Sequence, residues 1–316
     1  MMTFMGRSYR RLPLRYSPHP WRWLGFTALL PALAIAQSQN RAFTETHTLR
    51  ARWELADSLR NGNFLITPYK PVYVLPAVWS STPNRDPRRT NGPDPTGNEE
   101  LPLDVVECKF QFSFKTKVLQ GLYKNKGDIW VAYTQSSRWQ VYNYGFSRSF
   151  RETNYEPEVM LVWPTKFRVL GFTGRMLSAG IDHQSNGGVE PYSRSWNRLI
   201  AQVGLERGRC TLLLRPWWRF PESENADENA GITGLLGNGE VIAIYQVRSH
   251  VISLQLRSAF IDAPFTGGSV QGDWSFTIKG HLKAHLQVFH GYGESLIDYD
   301  HRQTTIGLGV SLLDWL

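Results

Sequence analysis

Three polar side chains whose types suit ester hydrolysis lie within one short run, from His183 to Asn197. A serine hydroxyl becomes a nucleophile when a neighbouring base removes its proton, and His183 is two residues from Ser185. A third group must hold the histidine in the correct tautomer, and Asn197 can accept that hydrogen bond through its amide oxygen. Because an amide brings no negative charge, such a site needs further stabilisation of developing charge, and a cation could supply it.

The segments on both sides of this run alternate apolar and polar residues, as strands with one apolar face do. The apolar odd positions are Leu177, Ala179 and Ile181 before the run and Leu199, Ala201 and Val203 after it. If odd positions face outward, His183 and Ser185 share that face, about 6.5–7 Å apart along the strand. A register that pairs residue 183 with residue 197 then brings Asn197 beside His183. Polar groups on a lipid-facing wall are costly, so we expect this cluster to have a function.

The same alternation recurs in segments near residues 108–114, 252–256, 282–288 and 306–312. Segments of about ten residues that alternate in this way, separated by turn residues, are typical of an outer-membrane barrel with its apolar face outward. A soluble sandwich also alternates, but its charged face would be the outer one. The pattern predicts an all-β fold, a transmembrane antiparallel β-barrel over residues 103–316, in the outer membrane of a bacterium.

The first 36 residues have the organisation of a cleaved secretory signal peptide. Five arginines precede an apolar stretch from Leu24 to Ala36, which ends in the small-residue motif Ala34-Ile35-Ala36. A first transmembrane helix is the alternative, but this stretch has about 13 residues and a helical span needs roughly 20. Removal of residues 1–36 lowers the formal net charge from +8 to +3. The basic composition is therefore no argument for a nucleic-acid partner.

Residues 37–102 are expected to form an irregular N-terminal arm, because Ser80 to Pro102 is rich in proline, asparagine and glycine. Within this arm, residues 64–69 could form an extended segment packed against the barrel. The two cysteines, Cys108 and Cys210, could form a disulfide or remain unpaired in the barrel wall, and the sequence leaves both open.

The chain resembles outer membrane phospholipase A, the barrel phospholipase family of Gram-negative bacteria, over most of its mature length. The resemblance is densest in residues 151–157 (RETNYEP), 185–187 (SNG), 193–199 (SRSWNRL) and 291–299 (GYGESLIDY). It implies a twelve-stranded barrel that hydrolyses the sn-1 and sn-2 esters of phospholipids, and lysophospholipids. It also implies an active site on the outer surface with His183 as base, Ser185 as nucleophile and Asn197 as the orienting residue.

The resemblance further implies calcium as cofactor and a homodimer as the active form. Carried onto this chain, the calcium ligands are the Ser193 hydroxyl and the Gly188 carbonyl of one subunit, with Ser147 from the other. An all-oxygen shell of this kind suits calcium. Gln135 matches a glutamine that bridges the two subunits inside the membrane, although an ordinary lumen-facing glutamine is the alternative.

Three polar residues of the first dense run, Arg151, Glu152 and Glu156, are expected to form an internal network rather than to take part in catalysis. Two other functional classes stay open on the residues alone. A porin or structural barrel would keep the fold and conduct ions without calcium-dependent hydrolysis. A soluble secreted lipase conflicts with the alternating strands, and the chain lacks the G-x-S-x-G motif of that class.

Overall fold

The computed structural model describes residues 48–87, 100–223, 227–259 and 267–316. The predicted signal peptide lies outside the described residues, as does most of the proline-rich stretch of the arm. Among the described residues, no helix combines the length and the apolar character needed to cross a membrane.

Twelve of the thirteen strands described, from Val72–Ser80 to Gln303–Leu313, close into one antiparallel barrel. The strands are β1 (Ile66–Pro68), β2 (Val72–Ser80), β3 (Val106–Leu119), β4 (Asp128–Trp139), β5 (Glu152–Val169), β6 (Phe172–Ser185), β7 (Ser195–Arg207), β8 (Cys210–Arg219), β9 (Gly239–Val247), β10 (His250–Ser258), β11 (Ser269–Lys279), β12 (Leu282–Gly291) and β13 (Gln303–Leu313). Each of β2 to β12 pairs with the strand that follows it, and β13 pairs with β2 to close the ring. The short β1 is an additional strand that pairs with the far end of β3. The helical segments are α1 (Leu49–Arg52), a 3-10 turn (Asp57–Leu59) and α2 (Ile232–Leu236).

The barrel begins earlier in the chain than residue 103, so the expected boundary of the arm was wrong. Val72–Ser80 forms β2, which lies in the wall between β13 and β3. The arm hypothesis rested on the proline-rich stretch that follows β2 in the chain, and most of this stretch lies outside the described residues. The extended segment expected near residues 64–69 is confirmed, because Ile66–Pro68 pairs with β3.

The wall alternates as predicted, with apolar side chains on the outer face. Ile181 and Leu199 are exposed, whereas Asp182 and Arg198 on the opposite face are buried and joined by a salt bridge inside the barrel. A sheet that closes on itself has no unpaired edge, which is the condition for a β-structure to lie in lipid. The period-two pattern therefore predicted which side chains of each strand face the membrane and which face the lumen.

The two ends of the barrel differ in the length of their connections. Turns of a few residues join β5 to β6 and β7 to β8 at the end called here the short-turn end. Loops such as 140–151, 186–194 and 292–302 connect the strands at the opposite, long-loop end. Short turns face the periplasm and long loops face the exterior in barrels of this kind. The end of β6 that carries Ser185 is therefore at the level of the outer leaflet.

Polar and aromatic side chains fill the lumen. Near the short-turn end, Trp53 contacts the ring of Trp130 edge-on, with centroids 5.7 Å apart, and Glu54 accepts a salt bridge from Lys117 at 2.7 Å. Leu49, Trp53 and Tyr69 are buried in the barrel interior, whereas residues 61–64 between them are exposed at the short-turn end. Charged groups buried in pairs avoid the cost of an unpaired buried charge.

The expected internal network is confirmed. Glu156 forms salt bridges with Lys70 at 2.7 Å and with Arg198 at 3.2 Å. Arg151 forms salt bridges with Glu107 at 2.9 Å and with Asp298 at 3.2 Å. The salt bridge between Arg151 and Asp298 connects the residue before β5 to loop 292–302, which folds back into the long-loop end of the barrel.

The two cysteines are unpaired. Cys108 is near the long-loop end of β3, and Cys210 begins β8 at the short-turn end. A disulfide requires Cα atoms within about 7 Å, and the length of a membrane-spanning strand separates these residues. Topology thus excludes the disulfide that the sequence left open.

Candidate active site

His183 and Asn197 face each other on neighbouring strands. They are directly paired in the β6–β7 register, as predicted, and His183 Nδ1 lies 2.8 Å from Asn197 Oδ1. Because an amide oxygen can only accept, this contact assigns the proton to Nδ1 and leaves Nε2 as a base. Both side chains are half-buried on the outer face of the wall.

Ser185 is the last residue of β6, and it shares the outer face with His183 two residues earlier. Its register partners are Tyr155 on β5 and Ser195 on β7. In the part of the chain that the structure describes, no hydrogen bond or ion pair engages the Ser185 hydroxyl. The hydroxyl is thus unengaged beside a histidine whose other nitrogen is already bound.

Gln184, between these two residues, has the opposite orientation. Its side-chain oxygen accepts a hydrogen bond from Nε1 of the fully buried Trp196 at 2.8 Å. Trp196 in turn packs edge-on against Trp217 inside the barrel. The side chain of Gln184 therefore points into the barrel, and this packing holds the backbone from which His183 and Ser185 project outward.

Loop 186–194 is held together by the side chain of Asn186, the residue that follows Ser185. Asn186 Oδ1 accepts from the backbone N–H groups of Gly188 at 3.1 Å and Arg194 at 2.9 Å. Its Nδ2 donates to the Tyr192 carbonyl at 2.8 Å and to Glu152 at 3.3 Å. One buried amide therefore connects the beginning and the end of the loop and anchors it to β5.

The proposed calcium ligands Gly188 and Ser193 both lie on this loop. The Ser193 hydroxyl donates to Glu228 Oε1 at 2.8 Å, and the Ser195 hydroxyl donates to Glu228 Oε2 at 3.1 Å. A carboxylate from the loop after β8 thus lies beside one of the predicted ligands. Carbonyl, hydroxyl and carboxylate oxygens are the donors that a hard cation such as calcium prefers, so the residues present fit that ion.

Ser147 lies on the neighbouring loop 140–151, where its carbonyl accepts a hydrogen bond from Trp139 Nε1 at 2.8 Å. Within the described ranges, no hydrogen bond or ion pair joins Ser147 to Gly188 or Ser193. The third predicted ligand therefore lies on a different loop from the other two.

Gln135 lies on the outer face of β4, in the same row across the sheet as Ser185. Its register partners are Phe112 on β3 and Tyr155 on β5, and Tyr155 in turn pairs with Ser185. Strands are spaced about 4.8 Å apart, so Gln135 is about 10 Å from Ser185 along the wall. The Tyr133 hydroxyl donates to Gln135 Oε1 at 3.0 Å. The structure thus places a polar side chain among exposed aromatic ones, and the lumen-facing alternative does not hold.

A second group of acidic residues, Glu156, Glu158 and Asp182, has oxygens within 4.8 Å of one another. These carboxylates face the lumen, on the opposite side of the wall from Ser185. Arg198 and Arg215 bind them, with Arg215 3.1 Å from Glu158. Because cations of the chain already neutralise this group, we assign it to the internal network and not to calcium.

Two residues near the site were not identified from the sequence alone. Asn186 follows the nucleophile candidate directly, but nothing in its spacing indicates that its side chain spans the loop. Glu228 lies in an irregular stretch without periodicity, 33 residues from the nearer serine that it binds. Only the folding of one loop over another brings it there.

Comparison with known proteins adds to this geometry. The family model for phospholipase A1 matches residues 49–312. The chain belongs to the phospholipase A1 family. It is 40% identical over 260 residues to a phospholipase A1 homologue of Neisseria meningitidis, which covers 79% of this chain and 65% of that protein. It is 34% identical over 251 residues to phospholipase A1 of Klebsiella pneumoniae, covering 79% of this chain and 83% of that enzyme.

A solved structure extends the likeness to the fold. The outer membrane phospholipase of Salmonella typhi, a dimer with bound calcium, aligns with a TM-score of 0.74 at 31% identity. The alignment covers 86% of this chain and all of that one. This phospholipase A1 family member is therefore an outer-membrane barrel that hydrolyses ester bonds of phospholipids. The soluble secreted lipase considered above does not hold.

Proposed function

We propose that the chain is a calcium-dependent phospholipase whose nucleophile is Ser185, with His183 as base and Asn197 as orienting residue. The observation that carries this proposal is the contact of 2.8 Å between His183 Nδ1 and Asn197 Oδ1 on the lipid-facing wall. A polar pair on that face is costly without a function. The hydroxyl of Ser185 is two residues from the histidine on the same face of β6.

The proposed reaction is acyl transfer in two steps. Ser185 Oγ attacks the ester carbonyl carbon while His183 Nε2 accepts the hydroxyl proton, and the oxygen–carbon bond forms as the carbonyl oxygen becomes an oxyanion. Collapse breaks the ester bond, and His183 returns the proton to the leaving glycerol oxygen. Water then attacks the acyl-enzyme with His183 again as base, which releases the fatty acid and restores Ser185. The same chemistry applies to sn-1, sn-2 and lysophospholipid esters, because the machinery contacts only the ester.

When bound, calcium would supply positive charge beside the developing oxyanion, which the neutral Asn197 does not provide. The residues proposed to hold it are Gly188 through its carbonyl and Ser193 through its hydroxyl, with Ser147 of the partner subunit. Glu228 supports this assignment because its carboxylate accepts from Ser193 at 2.8 Å and adds negative charge at the site.

We propose that the active form is a homodimer that packs through the outer wall around Gln135. Phe112, exposed by 50%, and Tyr155, exposed by 37%, flank this amide on the same row as Ser185. A lipid-buried amide gains most by pairing with another amide, and the symmetry of a dimer supplies one. The Salmonella typhi phospholipase is a dimer with bound calcium. Since the third ligand comes from the second chain, the monomer would be incomplete.

The test is fatty-acid release from phospholipid micelles by the refolded barrel, with calcium, with chelator and with Ser185→Ala. We expect Ser185→Ala to lower the rate at least about a thousandfold. Ser249→Ala is the matched control, since that serine is exposed in the turn after β9, at the opposite end of the barrel from Ser185. Release that persists in Ser185→Ala would overturn the nucleophile assignment, and release that persists in chelator would overturn the calcium requirement.

Electrical conductance distinguishes the phospholipase from the porin alternative. Leu49, Trp53, Tyr69 and the internal ion pairs fill much of the lumen, so we expect no stable conductance when the protein is inserted into a planar bilayer. Steady single-channel currents without calcium-dependent hydrolysis would support the porin instead.

A further inference from the structure

A cluster of arginines at the short-turn end has no role in the proposed reaction. Arg168, Arg207, Arg209 and Arg248, which we call the arginine rim, line one cavity of about 600 Å³. They come from three consecutive connections, the turns after β5, β7 and β9, and all four side chains are exposed. Among the described residues, none of the four forms a salt bridge or a side-chain hydrogen bond.

The other groups in this cavity do not neutralise the arginine rim. Glu206 is the single acidic residue that lines it, and its carboxylate is already engaged by Arg175 at 2.7 Å and by the Leu49 N–H at 2.6 Å. Gln246 also lines the cavity, and its buried side-chain nitrogen has no hydrogen-bond partner in the described structure. Four guanidinium groups without a salt bridge or side-chain hydrogen bond among the described residues form a site for an anion with several acceptor oxygens.

The surroundings indicate that this anion is attached to a lipid. Leu170, at the tip of the turn beside Arg168, is 90% exposed, and Phe167 and Val169 on the same strand end are about 40% exposed. A soluble phosphate gains nothing from apolar neighbours, whereas a phospholipid places its phosphate beside its acyl chains. On the outer wall near this end, Tyr245 and Trp274 are exposed aromatic residues of the kind that lie at the headgroup level.

We propose that the arginine rim binds the phosphate of an anionic phospholipid, such as phosphatidylglycerol, in the periplasmic leaflet. The site is at the opposite end of the barrel from Ser185, so it binds lipid without hydrolysing it. A zwitterionic headgroup would bring an ammonium group against the guanidinium groups, with Glu206 already paired. Bound lipid would fix the depth of the barrel and hold residue 185 at the outer leaflet.

The experiment is native mass spectrometry of the full barrel in detergent with added phosphatidylglycerol or phosphatidylcholine. Ser185→Ala in chelator serves as the background, so that lipid is not consumed and the result is independent of the proposed catalysis. We expect retention of phosphatidylglycerol in preference to phosphatidylcholine. Each arginine near an anionic lipid is worth about a fivefold change in affinity. The triple variant Arg207→Gln, Arg209→Gln, Arg248→Gln should therefore bind roughly a hundredfold more weakly.

The matched control is Arg302→Gln, which removes an exposed arginine at the long-loop end and should leave lipid retention unchanged. Equal retention of the two lipids, or equal retention by the triple variant and the control, would overturn the proposal. Displacement by inorganic phosphate at the same concentration as the lipid would show an anion site without lipid preference, which also overturns it. If the triple variant does not fold, the single variant Arg209→Gln and a salt titration of the unaltered barrel decide the question, since binding through arginine must weaken with salt.

Discussion

The substitution Asn186→Ala should raise the calcium concentration needed for half-maximal hydrolysis, and it leaves His183, Ser185 and Asn197 unchanged. The substitution deletes four hydrogen bonds that hold loop 186–194, on which Gly188 and Ser193 lie. Water can replace the bonds to Gly188 and Tyr192, which are in the open part of the loop. The Arg194 N–H and Glu152 Oε2 are buried and lose this hydrogen bond, whereas Glu152 Oε1 keeps its bonds from Asn154 and the Ile297 N–H. Two buried hydrogen bonds at about 1–1.5 kcal/mol each amount to about 2–3 kcal/mol.

The loss of this free energy destabilises the ordered conformation of loop 186–194, because all four hydrogen bonds lie within the loop or anchor it to β5. A ligand that binds only the ordered loop loses apparent affinity in proportion to the ordered fraction. The calcium concentration for half-maximal hydrolysis should therefore rise roughly 30- to 150-fold. Saturating calcium should restore most of the maximal rate, since His183, Ser185 and Asn197 are unchanged.

The assay is fatty-acid release at a series of calcium concentrations, with folding checked by the heat-dependent gel mobility of the barrel. Asn61→Ala is the control, because that residue is exposed at the short-turn end and, among the described residues, its side chain donates a hydrogen bond to Glu54 alone. An unchanged calcium requirement in a folded variant would refute the reasoning. A lower maximal rate at an unchanged calcium requirement would also refute it, since Asn186 would then act on the chemistry.

Three further outcomes follow from single contacts. Asn197→Ala should lower kcat roughly 10- to 100-fold with little change in KM, because one hydrogen bond that orients His183 is lost; a change confined to KM would contradict the orienting role. Glu228→Gln should raise the half-maximal calcium concentration about tenfold, as calcium titration would reveal, and an unchanged value would exclude the carboxylate from the site. Burial raises the pKa of Glu294, but Arg138 and Lys109 together lower it to about 2. Because folding lowers this pKa, the part of the folding stability that Glu294 contributes is fully present above about pH 4.5. That part is lost as the pH falls toward 2. Thermal unfolding should show that loss, and Glu294→Gln should abolish this component of the pH dependence while lowering stability at neutral pH.

The sequence by itself determined the wall of the barrel. Alternation of period two assigns Ile181 and Leu199 to lipid and Asp182 and Arg198 to the lumen, since successive side chains of a strand point to opposite faces. The same rule places His183 and Ser185 on one face. The alternation excludes a register shifted by one residue, because such a shift would move every apolar side chain to the wrong face. A shift by two residues keeps the faces, so only the structure established the pairing of His183 with Asn197.

Only the tertiary structure decided the contacts between loops and the contents of the lumen. Irregular segments have no period, so nothing local connects Glu228 to Ser193 or Asn186 to both ends of its loop. The boundary of the arm was misplaced because the strand Val72–Ser80 directly precedes a proline-rich stretch, whose composition dominates this part of the sequence. The arginine rim is equally non-local, because its members are far apart in the chain and meet only when the barrel closes and brings three turns to one end.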